Sequence, residues 1–220
     1  AKYIGFDKSM IGGYGQDDRV CAYTTLRSLI DLANEKHSFE KTAIALIVDK
    51  EEIGSVGNTS MSSNTFDMFI NKLIKKSGLK DVDLYEVYYN SKMLSADVST
   101  CVDPDYEEVS DVQNGNILGC GIALEKYTGS GGKYSASDAN AAFVAEVMSI
   151  FEKNNVMFQL GTLGKIGKGG GGTIAYILAE KGVNVIDCGT AVLAMHSPFE
   201  VTSKYDVYMT YLAYKAFFKA

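Results

Sequence analysis

The run Thr42-Ala43-Ile44-Ala45-Leu46-Ile47-Val48 constrains this chain more than any other stretch. It is too apolar and too β-branched for a strand with one wet face, so it reads as a strand covered on both faces. Strands of that kind belong to α/β sheets, whose ligands bind just outside the carboxyl ends of the strands. The run is followed at once by Asp49-Lys50-Glu51-Glu52-Ile53-Gly54-Ser55, which puts Glu51 and Glu52 at the mouth of a site. A solvated strand end is the competing reading of the same residues.

The rest of the chain alternates between helix and strand patterns. Val20, Tyr23, Leu26, Leu29, Ile30 and Ala33 have helical spacing after Asp17 and Asp18, which the helix dipole favours in a first turn. A second helix carries Phe66, Phe69, Ile70, Leu73 and Ile74 on one face, with Ser62, Ser63 or Asn64 as cap and Gly78 as stop. Further helices are expected over 138–153, 173–181 and 205–218, and further strands over 84–89, 117–124, 156–160 and 183–186. This order predicts an α/β fold with a mainly parallel or mixed sheet and helices on both faces. The 220 residues, 46% of them hydrophobic, suffice for a sizeable core, and one α/β domain over 1–220 is the expected organisation.

A net charge of −6 argues against nucleic acid or an anionic membrane surface as partner, since both need a basic face. No apolar run approaches the length of a membrane span, and Ala1-Lys2-Tyr3-Ile4-Gly5 lacks the features of a secretory signal. Cys21, Cys101, Cys120 and Cys188 have no C-x-x-C spacing. Reduced cysteines in a cytoplasmic protein are the expectation. Gly167-Lys168-Gly169-Gly170-Gly171-Gly172 matches the dinucleotide pattern G-x-G-x-x-G but lies too far beyond its strand for the tight turn that pattern needs. A flexible substrate loop is the better reading.

The chemically informative residues gather at element ends. Glu51 and Glu52 follow the first strand, Asp97 the second, His196 follows 183–186, and Asp17 opens a helix. Carboxylates and an imidazole brought together from separate loops suit a hydrolytic metal site, because divalent cations take oxygen ligands and zinc adds nitrogen. Each also has a structural reading: Asp17 as a cap, Asp97 in an Asx turn, His196 as a hydrogen-bonded core residue.

In order, Gly15-Gln16-Asp17-Asp18-Arg19, Asp49-Lys50-Glu51-Glu52-Ile53-Gly54-Ser55, Ser95-Ala96-Asp97 and Leu193-Ala194-Met195-His196-Ser197 resemble the aspartyl aminopeptidase family of dinuclear zinc peptidases. The resemblance implies a zinc-peptidase-like fold and two divalent metal ions, zinc first, with cobalt or manganese as alternatives. Asp17 would bridge both ions, Glu52 and His196 would complete one ligand set, Asp97 would serve the other, and Glu51 would be the catalytic general base. Lys126, Gly172 and Thr173 would contact a peptide substrate whose N-terminal residue is acidic, with a neutral one as the alternative. A homo-oligomer is implied for the full-length enzyme. The chain matches the C-terminal half of the family's catalytic domain, with the upstream segment and the inserted dimerisation domain outside it. The family's upstream metal-binding histidine has no match, since His37 reads as an exposed helix end, and Ser99-Thr100-Cys101-Val102-Asp103 stands where histidines are usual. The alternative function is therefore a non-catalytic binding or assembly module with an incomplete metal site.

Overall fold

The computed structural model describes residues 1–131 and 133–220. The strands are β1 (Lys2–Ile4), β2 (Met10–Gly13), β3 (Lys92–Ser95), β4 (Ser99–Thr100), β5 (Ile122–Glu125), β6 (Tyr127–Ser130), β7 (Tyr134–Asp138), β8 (Phe158–Leu160), β9 (Asn184–Gly189), β10 (Ala191–Leu193) and β11 (Glu200–Ser203). The helices are α1 (Gln16–Asn34), α2 (Thr65–Ser77), α3 (Leu84–Tyr89), α4 (Ala141–Lys153), α5 (Ala175–Ala179) and α6 (Lys204–Lys219). The expected α/β class holds, and the mixed alternative is the one realised. One sheet has the order β3-β9-β5-β8, with β3 parallel to β9, β5 parallel to β8, and β5 antiparallel to β9. A second has the order β1-β2-β11-β10-β4 and is antiparallel except for the β10–β4 pair, while β6 and β7 form a hairpin.

Two apolar clusters flank the first sheet. β5 is buried along its whole length, and Phe143, Val147 and Phe151 of α4 pack against it together with Ala213 and Tyr214 of α6. The spacing of those α4 residues is one helical face, and each such side chain removed from water contributes roughly 2 kcal/mol. Asn140 fixes the start of α4 by accepting a hydrogen bond from the Phe143 N–H at 2.9 Å. The other cluster joins Ile70 of α2, Tyr88 of α3, Ile177 and Leu178 of α5, and Val185 of β9. Among the described residues, no helix is long and apolar enough to cross a membrane.

Three sequence expectations fail locally. Residues 84–89 are helical, because Asp83 caps the segment by accepting from the Glu86 N–H at 2.8 Å. Leu84, Val87 and Tyr88 then share the buried side while Tyr85 and Tyr89 face solvent. The strand expected over 117–124 is confined to β5, after the turn residues Gly119 and Gly121 with φ of 85° and 92°. The run 42–48 forms no strand. A strand needs a hydrogen-bonded neighbour, and among the described residues none lies beside this segment. Its Ile44, Leu46 and Ile47 are 37, 40 and 55% exposed.

Candidate active site

Four chain segments converge on one cleft of ≈ 200 Å³. Asp17 comes from the start of α1, where φ and ψ of −75° and 111° are not helical and the carboxylate is turned away from a simple capping role. Glu51 and Glu52 sit in a single 3₁₀ turn bounded by Lys50 and Gly54, both left-handed, and the Ser55 N–H closes the turn on the Lys50 carbonyl at 2.8 Å. Asp97 follows β3. His196 lies in the tight turn after β10, with φ of 66°.

The His196 Nε2 stands 3.0 Å from Asp17 Oδ2 and 3.2 Å from Glu52 Oε1. Ligand atoms of Asp17, Glu52 and His196 all fall within 4.8 Å of one another, as do those of Asp17, Asp18 and Asp97. Asp17 thus belongs to both groups. Gly172 and Thr173 line the same cleft, together with Val98, Leu163 and Met195. Lys126 is not among the residues that line the cleft, and its ammonium pairs with Asp138 on a half-exposed surface. His37 stacks edge-on against Phe39 at 4.9 Å and joins neither ligand group.

The crowding of acids raises their affinity for protons. Burial, then the Glu52 charge, lifts Asp17 to about 6. Burial lifts Asp18 to about 8 and pushes Asp97 well above its usual value, with neighbouring carboxylates adding to both. Burial, then Glu52 and Asp17, lifts Glu51 to about 7. Among the described residues, no lysine or arginine lines the cleft. A half-buried carboxylate cluster with one imidazole has the donor set of a divalent metal centre, and zinc fits its mixed oxygen and nitrogen ligands.

The family model for the aminopeptidase I zinc metalloproteases (M18) matches residues 1–218. The chain belongs to the M18 aminopeptidase family. It is 49% identical to a probable M18 family aminopeptidase 1 of Borrelia garinii subsp. bavariensis over all of this chain and 48% of that protein. A crystal structure of the Thermotoga maritima M18 aminopeptidase superposes with a TM-score of 0.92 at 46% identity, covering 99% of this chain and 48% of that one. A Saccharomyces cerevisiae structure described as the mApe1 dodecamer covers 99% of this chain and 48% of that one with a TM-score of 0.81 at 26% identity. The chain spans about half the length of the curated M18 relatives it matches.

Three residues of this M18 site lay outside the sequence reading of it. Asp18 was legible only as a helix-start acid. Asp187 lies inside β9, directly after the apolar Val185 and Ile186, and it accepts from the Thr128 hydroxyl at 3.1 Å. Glu200 carried no signal at all, because its role depends on partners 184 residues away.

Proposed function

We propose that this chain carries the active site of a metal-dependent M18 aminopeptidase that removes the N-terminal residue of peptides. The observation that carries the reading is His196 within hydrogen-bonding reach of both Asp17 and Glu52, beside Glu51, in an open cleft. In it Asp17, Glu52 and His196 would hold one divalent ion, and Asp17 and Asp97 would serve a second. Bound there, zinc supplies Lewis acidity toward a peptide carbonyl and lowers the pKa of water. Glu51 lines the cleft outside both groups of ligand atoms, which leaves its carboxylate free to take a proton. It accepts the proton of the attacking water and returns it to the amine nitrogen as the C–N bond breaks.

The side chain of the departing residue meets Val98, Leu163 and Met195 beside the Gly170–Gly172 strip, with no cation among the described lining residues to pair an acidic group. A neutral, apolar N-terminal residue therefore fits better than aspartate or glutamate. The function is that of a cytoplasmic enzyme, in keeping with four free cysteines, and by analogy with the yeast dodecamer it works as a homo-oligomer. Metal content and hydrolysis of leucyl and aspartyl anilides test the reading. Two ions per chain and faster leucyl turnover are expected, and Glu51→Gln should lower kcat by about 10²-fold or more. Retained turnover in that variant would remove Glu51 from its role.

One observation favours a second reading. The group Asp17, Asp18 and Asp97 offers zinc only oxygen ligands, and the imidazole of His196 is 62% exposed. On that reading the chain alone is a binding module, which would show one weakly held ion and no turnover.

A further inference from the structure

We propose that Glu200 is a positioning residue that locks the two ligand-bearing segments of the site into one geometry, an inference that rests on the metal-dependent reading above. Glu200 opens β11, and only 2% of it is exposed. Its Oε2 accepts from the backbone N–H of Gln16 at 2.5 Å and of Asp17 at 3.2 Å, while its Oε1 accepts from the backbone N–H of His196 at 2.9 Å. One buried carboxylate therefore ties the main chain of Asp17 to that of His196, and both its oxygens are used.

Both segments need an outside partner. Gly15, the residue that precedes α1, is left-handed and offers no side-chain cap, and Asp17 and Asp18 are not helical, so the N–H groups of Gln16 and Asp17 are met by Glu200 instead of by helical or capping partners. At the other segment, Ala194 and His196 both have positive φ, 55° and 66°, a conformation that side chains other than glycine hold only when surrounding bonds enforce it. The Glu200 bond to the His196 N–H is such a bond. The Gln16 side chain adds a second tie by donating to the Glu200 carbonyl at 2.6 Å and to the Ile11 carbonyl at 3.0 Å, which secures the loop to β2 and β11.

Glu200 also carries charge beside acids that are already crowded, and its presence raises the proton affinity of Asp17. A neutral acceptor would avoid that cost. Glutamine, however, has one acceptor oxygen and an NH₂ that would face an N–H, so it cannot serve all three donors. Only a carboxylate accepts from both segments at once.

Glu200→Gln separates this role from a general packing role. Zinc and cobalt affinities of the 220-residue chain would be measured by competition with a chromophoric chelator, alongside the Co(II) absorption spectrum and the unfolding of the metal-free protein. Loss of an outer partner of metal ligands costs about 10- to 100-fold in metal affinity, and that loss with a changed Co(II) spectrum is expected. Affinity within about twofold of wild type and an unaltered spectrum in a folded variant would overturn the proposal. Should the variant not fold, amide exchange in the wild-type protein decides: the Gln16, Asp17 and His196 amides should be protected together, and free exchange at His196 would overturn it. Wild-type protein that binds neither ion would instead defeat the metal-dependent reading, whatever the variant does.

Discussion

Glu125 offers the sharpest test of the electrostatics, because replacing its charge should stabilise the protein. It ends β5, is 4% exposed, and accepts from Asn116 Nδ2 at 3.1 Å and from the Ser99 hydroxyl. Burial raises it from 4.5 to about 7, with Asp187 opposite on β9 adding to the shift and the Ser99 bond opposing it. An acid whose folded pKa is raised binds its proton more tightly when folded. Stability is therefore full below pH 4.5 and is lost as pH rises toward 7. The rise in its pKa corresponds to about 3 kcal/mol, most of which should be lost between pH 5 and pH 8. Glutamine keeps the acceptor oxygen for Asn116 and Ser99 but cannot ionise. Glu125→Gln should thus lie close to wild type at pH 5 and exceed it by about 2–3 kcal/mol at pH 8. Urea denaturation of both proteins at the two pH values measures this directly. Parallel pH profiles would refute the assignment of a buried, proton-binding Glu125.

The same sign applies to the cleft. Asp17, Asp18, Glu51 and Asp97 all have raised values, so chelation should lower the Tm more at pH 8 than at pH 6, and equal losses in circular dichroism would contradict this. Gly189→Ala would place a Cβ 1.7 Å from the Asp97 carbonyl oxygen, which should cost about 2 kcal/mol or more in denaturant unfolding and weaken zinc binding by displacing Asp97. Lys126→Ala should alter stability by less than about 1 kcal/mol and leave the ratio of leucyl to aspartyl turnover unchanged, since its partner Asp138 is exposed.

Elements whose signals are local were legible in the sequence. The apolar face of α4, the Gly78 stop of α2 and the long final helix α6 appear close to their expected bounds, because 3.6-residue spacing and caps act within a few residues. The segment 84–89 was misread because its aromatic and β-branched residues, Tyr85, Val87, Tyr88 and Tyr89, imitate a strand, whereas Asp83 decides the matter with one hydrogen bond. The short strands β10 and β11 gave too few residues for any period to show, and their pairing is settled by contacts distant in sequence. The run 42–48 shows the limit of composition, which records that a segment is fit for burial but cannot supply the neighbour that buries it.

The site follows the same division. Asp17, Asp97 and His196 were legible because each stands beside the end of a regular element, and Glu51 and Glu52 because paired acids follow an apolar run, although that run forms no strand; the structure brings all five to one cleft. What holds them there was not. Glu200 lies in a short strand of ordinary sequence, yet it joins the backbones of Gln16, Asp17 and His196. The difference is physical: a ligand must present its side chain to an open cleft, so it sits at an exposed end where carboxylates stand out. A residue that positions ligands works by accepting backbone N–H groups in the interior, and any buried acid could do so until the fold determines which donors reach it. Metal ligands can therefore be found by residue type and place, while the groups that fix their geometry are found only through the hydrogen bonds they make.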